Sequence, residues 1–99
     1  MKRFGLNKEV INSVRDKILS SSEAKEIRVY GSRAMDKYRE GSDLDLVIYG
    51  EVSFDELLKT ISAVEDLNLP IRVDIITKNT IENDSLIDHI ERVGQEFIS

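Results

Sequence analysis

The chain has 99 residues, 40% hydrophobic and 33% charged, which suits one folded domain over residues 1–99 with an aliphatic core and leaves no room for a second. Nineteen acidic against fourteen basic side chains give a net charge of −5 without a basic cluster, so a stable grip on long nucleic acid is not expected. The absence of cysteine excludes disulfides, thiolate metal sites and thiol nucleophiles.

Lys2 and Arg3 precede no apolar signal segment, and no apolar run approaches the roughly 18 residues of a membrane span. A cytoplasmic protein without a membrane partner is the expectation. From Asn7 to about Ser22, Val10, Ile11, Val14, Ile18 and Leu19 recur at helical spacing, with Asn7 as a usable cap. After the serine run 20–22, Ile27-Arg28-Val29-Tyr30 alternates as a first strand closed by Gly31. Ser32 can cap a short helix through about Met35 to Arg39, in which Lys37 and Tyr38 form the last turn. Gly41-Ser42 then resets the chain into a second strand, Asp43 to Tyr49, stopped by Gly50.

Ser53-Phe54-Asp55-Glu56 reads as a capping box that starts a helix burying Leu57, Leu58, Ile61, Val64 and Leu67. Pro70 marks the next boundary, Ile71 to Ile76 is a third strand, and Leu86, Ile87, Ile90, Val93 and Phe97 line the apolar face of a last helix. The order is αβαβαβα, an α/β (α+β) domain whose three-stranded mixed sheet must be packed by helices to hide its apolar faces.

Two residues apart on a strand, Asp43 and Asp45 point to the same face, while Leu44, Leu46 and Ile48 face the core. If the third strand lies beside the second, Asp74 joins that patch. Carboxylates about 6 Å apart repel by roughly 3 kcal/mol per pair at an effective dielectric near 20, so such a patch calls for a cation. Oxygen-only ligands favour Mg²⁺ or Mn²⁺ over zinc. A bare Asp-x-Asp is more often a pair of solvated edge residues. The upstream segment changes the weighting: Gly31 allows close backbone approach, Ser32 offers a hydroxyl, and a helix start offers free N–H groups, together a seat for phosphate.

Read jointly, Gly31-Ser32-Arg33-Ala34, Ser42-Asp43-Leu44-Asp45-Leu46 and Asp74 resemble the DNA polymerase β-like nucleotidyltransferase superfamily. The whole chain is most similar to its minimal nucleotidyltransferases, antitoxin-type partners of HEPN-domain proteins. The resemblance implies that Gly31 and Ser32, with Arg33 and Ser42, hold a nucleoside triphosphate such as ATP. It also implies that Asp43 and Asp45 bind two Mg²⁺ ions, and that Asp74 is the third carboxylate, assisting deprotonation of the attacking hydroxyl. A HEPN-domain protein would be the partner and its tyrosine the acceptor.

Asp36 departs from the glycine common in that group, although aspartate tolerates left-handed backbone better than most residues. Arg33 and Arg39 are the cations nearest the proposed phosphate seat, with a surface role favoured for Arg39. His89 is expected to face solvent. Two other readings stay open: a binding module that neutralises its partner by contact, and nucleotidyl transfer to RNA or a small molecule.

Overall fold

In the computed structural model, which describes residues 2–99, the chain begins with a hairpin of β1 (Lys2–Arg3) and β2 (Leu6–Asn7). The hairpin leads into α1 (Lys8–Ser21) and β3 (Glu26–Tyr30). There follow β4 (Leu44–Tyr49), α2 (Phe54–Glu65), β5 (Val73–Thr77), α3 (Asp84–Val93) and β6 (Gln95–Glu96). The α+β class and the three strands and three long helices read from the sequence are all present, and the sheet is mixed.

Its strand order is β5-β4-β3-β6, with β4 parallel to β5 and antiparallel to β3. The fourth strand was not expected. The last helix ends at Val93, and the chain then pairs Gln95 and Glu96 with Val29 and Arg28. Phe97 therefore is not on the helix face. Its N–H donates to Ile27 O at 2.8 Å and its ring is fully buried against Phe4, with centroids 6.0 Å apart. Phe4 (φ 58°) and Gly5 (φ 73°) make the two-residue turn of the opening hairpin, with both φ positive as in a type I′ turn.

The short helix expected over Met35–Arg39 is absent. Gly31–Arg33 forms a single 3₁₀ turn, and the left-handed Asp36 (φ 57°) ends it before a helix can propagate. The aspartate supplies the backbone that a glycine would, as its tolerance for that region suggested.

One face of the sheet carries Ile27, Val29, Leu44, Leu46, Ile48 and Ile75, which pack with Ile11, Val14 and Ile18 of α1 and Val64 of α2. The capping box is half formed. Ser53 Oγ accepts from the Glu56 N–H, but Glu56 Oε2 accepts from the Glu23 N–H at 2.8 Å and so ties α2 to the end of α1. Leu58, expected in the core, shares the outward face of α2 with Phe54, and the two are 48% and 70% exposed. Strand alternation sends Tyr30, Asp45 and Asp74 to the opposite face, which α3 covers only in part, burying Val47 and Ile90.

Candidate active site

The site is built where β3 ends and β4 begins. Tyr30 is the last residue of β3 in register with β4, opposite Asp45, and on the other side of β4 Asp45 is opposite Asp74 of β5. One transverse row of the sheet thus carries a tyrosine and two carboxylates in order. The strand adjacency that the sequence left conditional is real, and it follows from the parallel crossover through α2.

Gly31 comes next after Tyr30 and turns back over the row. With φ +73° it adopts backbone that other residues rarely do, and a Cβ built on it would fall 2.5 Å from Asp45 Oδ2. The glycine is what lets the turn lie directly against the carboxylate. Ser32 follows, partly exposed at the start of the 3₁₀ turn.

Asp45 is partly buried and its carboxyl is held above the usual carboxylate range, first by burial and then by the charges of Asp74 and Asp43; Arg72 opposes the effect. Tyr30 feels the same field. Burial, then Asp45, then Asp74 push its hydroxyl up to about 12. Asp74 is paired with Arg72, whose Nε donates to Oδ1 at 2.9 Å. Asp43 stands exposed just before β4 begins.

The three aspartates do not close into a cage. Among the described residues, no three acidic or histidine side chains gather closely enough to hold a metal ion by themselves. The donors nevertheless fit a hard dication: all are carboxylate oxygens, and the charge around Asp45 is only partly offset. Magnesium is commonly held by one or two carboxylates with phosphate oxygens and water completing the shell, so a closed protein cage is not required.

Two residues expected at the nucleotide have their side chains committed elsewhere. Arg33 is 2% exposed. Its Nε and Nη2 donate to Ser42 O at 3.1 and 2.9 Å, Nη2 also to Glu40 O at 3.1 Å, and Nη1 to Phe4 O at 2.8 Å. The guanidinium lies over the Tyr38 ring, 5.0 Å from its centroid. It is a strut beneath the loop that delivers Asp43, not a free cation for phosphate. Ser42 Oγ accepts from the Arg39 N–H at 2.8 Å and so closes that loop locally.

Two residues that sequence reasoning passed over belong to the site. Arg72 could have been found, because a residue two before Asp74 on a strand shares its face. His89 could not. It is partly buried, its Nε2 accepts the Gly31 N–H at 3.2 Å, and its ring meets Tyr30 edge-on with centroids 6.2 Å apart. The expectation that it faces solvent is corrected by the packing of α3 on the open face. A cavity of about 750 Å³ runs from Tyr30, Asp45 and Asp74 around the β5 edge to Ile61 and Leu69.

Residues 8–95 match the model of the nucleotidyltransferase domain. Two proteins of Methanocaldococcus jannaschii, MJ0126 and MJ1217, both provisionally named protein adenylyltransferases, are each 33% identical over 93 residues, covering 92% of this chain and 94% of theirs. Among solved structures, one provisionally described as a minimal nucleotidyltransferase superposes with a TM-score of 0.66 at 28% identity, over 91% of this chain and 95% of that one. A toxin-antitoxin structure with AMP-PNP superposes with a TM-score of 0.69 at 17% identity, over 93% of this chain and 73% of that one, a likeness of fold. The carboxylate row, the glycine turn laid against it and these similarities together make the chain a member of the nucleotidyltransferase-domain family, akin to its minimal members.

Proposed function

We propose that this nucleotidyltransferase moves AMP from ATP to a hydroxyl of a partner protein, in the manner of an antitoxin acting on a HEPN-domain toxin. The observation that carries the transfer site is the close approach of Gly31 to Asp45: a phosphate bound at the strand-end turn would lie beside the carboxylate pair. The names of the Methanocaldococcus relatives support a protein acceptor. The toxin-antitoxin neighbours support a toxin as the partner.

In this reading the Gly31–Ser32 turn binds the triphosphate through the Ser32 hydroxyl and free N–H groups of the turn. Asp45, Asp43 and Asp74 would hold Mg²⁺, which when bound offsets charge on the phosphates and on the entering and leaving oxygens. Asp74 orients the acceptor hydroxyl and takes up its proton as the hydroxyl oxygen bonds to the α-phosphorus and pyrophosphate leaves. A tyrosine acceptor has an ordinary pKa near 10, so a neighbouring carboxylate is needed to expose its nucleophilic form at neutral pH. The acidic surface disfavours a long nucleic acid as acceptor.

The test is co-expression with the product of the neighbouring gene, followed by intact-mass measurement of that product. A gain of one or more adenylyl groups with the wild type and none with Asp74→Asn is the expected result. An unmodified partner beside efficient transfer to RNA overturns the protein acceptor, and an unmodified but neutralised partner supports the contact-only reading instead.

A further inference from the structure

His89 lies on α3, an element that carries none of the sequence motifs, yet it touches the turn on which nucleotide binding depends. Gly31 has the widest conformational freedom of any residue type, and its left-handed backbone is only one of several states open to it. Something must select that state. The register of β3 with β4 ends at Tyr30, so the Gly31 N–H lies beyond the β3–β4 ladder, and its acceptor is His89 Nε2 at 3.2 Å.

The imidazole is itself held. Its ring stands at 82° to the Tyr30 ring, the neighbouring Ile90 is fully buried, and α3 starts on Asn83, whose Oδ1 accepts from the Ser85 and Leu86 N–H groups. A second tether comes from just beyond the same helix, where Gln95 Nε2 donates to Ala34 O at 2.7 Å. The C-terminal segment thus grips the 3₁₀ turn at both ends, Gly31 on one side and Ala34 on the other.

We propose that His89 is a positioning residue for nucleotide transfer: by accepting the Gly31 N–H it fixes the turn that carries Ser32 at a set height over Asp45. The proposal rests on the nucleotide site described above. It does not require His89 to touch substrate. Its part is that of a hydrogen-bond acceptor at Nε2.

Three variants separate the hydrogen bond from mere packing. His89→Leu keeps bulk and removes the acceptor, His89→Gln keeps an acceptor on a flexible stem, and Asp45→Asn reports on the site itself. For each, the dissociation constant for ATP with Mg²⁺ is measured by calorimetry and the Gly31 amide is followed by NMR. His89→Leu should weaken ATP about tenfold, the scale of one neutral hydrogen bond, and shift the Gly31 amide. His89→Gln should restore affinity to within about threefold of the wild type.

Equal weakening in the Leu and Gln variants, or wild-type affinity in His89→Leu while Asp45→Asn loses it, overturns the role of His89 and leaves the transferase reading intact. A wild type that binds no ATP with Mg²⁺ overturns both. Should His89→Leu fail to fold, His89→Ser takes its place as the variant without an acceptor at Gly31.

Discussion

Arg33 and Asp45 are charged residues on either side of the same turn, and the fold treats them in opposite ways. Arg33 is buried, but its guanidinium donates four hydrogen bonds to carbonyl oxygens of Phe4, Glu40 and Ser42 and rests on the Tyr38 ring. Asp45 is more open to water, but its neighbours are two more carboxylates and its proton is held more tightly than usual. One charge is met by carbonyl oxygens of the protein. The other is only partly offset by its surroundings. A satisfied buried charge stabilises a loop; an unsatisfied one on a rigid sheet is a binding site that costs stability.

The sharpest break in that comparison comes from Asp45→Asn. With Asp45 holding Mg²⁺ as proposed, its loss should remove several kcal/mol of transition-state stabilisation, so adenylyl transfer should fall on the order of a thousandfold. Melting should move the other way. Because the folded-state pKa of Asp45 is raised, its ionised form destabilises the fold at neutral pH. That penalty disappears as pH falls through the raised value toward the ordinary one. The variant should therefore melt higher than the wild type at pH 7, with the gap closing on acidification; a lower melting temperature at pH 7 would mean that Asp45 is structurally paired after all.

Arg33→Met makes the opposite case. Three carbonyls lose their donor, and with partial rescue by water the loss should be about 3 kcal/mol, or roughly 15 °C in a domain this small. Arg33→Lys should recover little of it, since one ammonium cannot reach oxygens spread around a planar fork. Thermal melts of both variants decide this, and unchanged melting would show that these hydrogen bonds add nothing to stability.

Gly31→Ala tests the join between the two regions. The left-handed backbone costs an alanine about 1–2 kcal/mol, and the added methyl displaces the Asp45 carboxylate. ATP affinity should drop together with stability, whereas a variant that keeps full affinity would show that the turn does not set the carboxylate's position.

The smallest effect is expected from Arg72→Gln. The Arg72–Asp74 pair is largely exposed on the arginine side and contributes under about 1 kcal/mol. Releasing Asp74 Oδ1 from it should lower the Mg²⁺ concentration needed for half-maximal transfer. A higher requirement would instead give Arg72 a part in holding phosphate.

Much of the frame is legible in the sequence alone. The spacing of Ile11, Val14 and Ile18, the alternation of Leu44, Leu46 and Ile48 and the Ser53 cap each reflect a preference that acts over a few residues, and each appears as read. Asp45 points away from the core for the same reason, whereas Asp43, expected on the same strand, lies just before β4 begins. Local chemistry misjudged the stretch after Ser32, where a helix cap was read but left-handed Asp36 and the carbonyl-bound Arg33 hold a loop.

What the sequence by itself determined was the periodic elements and the motif residues they carry, because backbone geometry and side-chain direction follow from neighbours in the chain. Which strand lies beside which, and so the pairing of Asp45 with Asp74, was decided by the packing of the crossover helix. The turning of Arg33 inward and the bond from Gly31 to His89, 58 residues away, were decided the same way. Such contacts depend on where whole elements come to rest, and no periodicity records that.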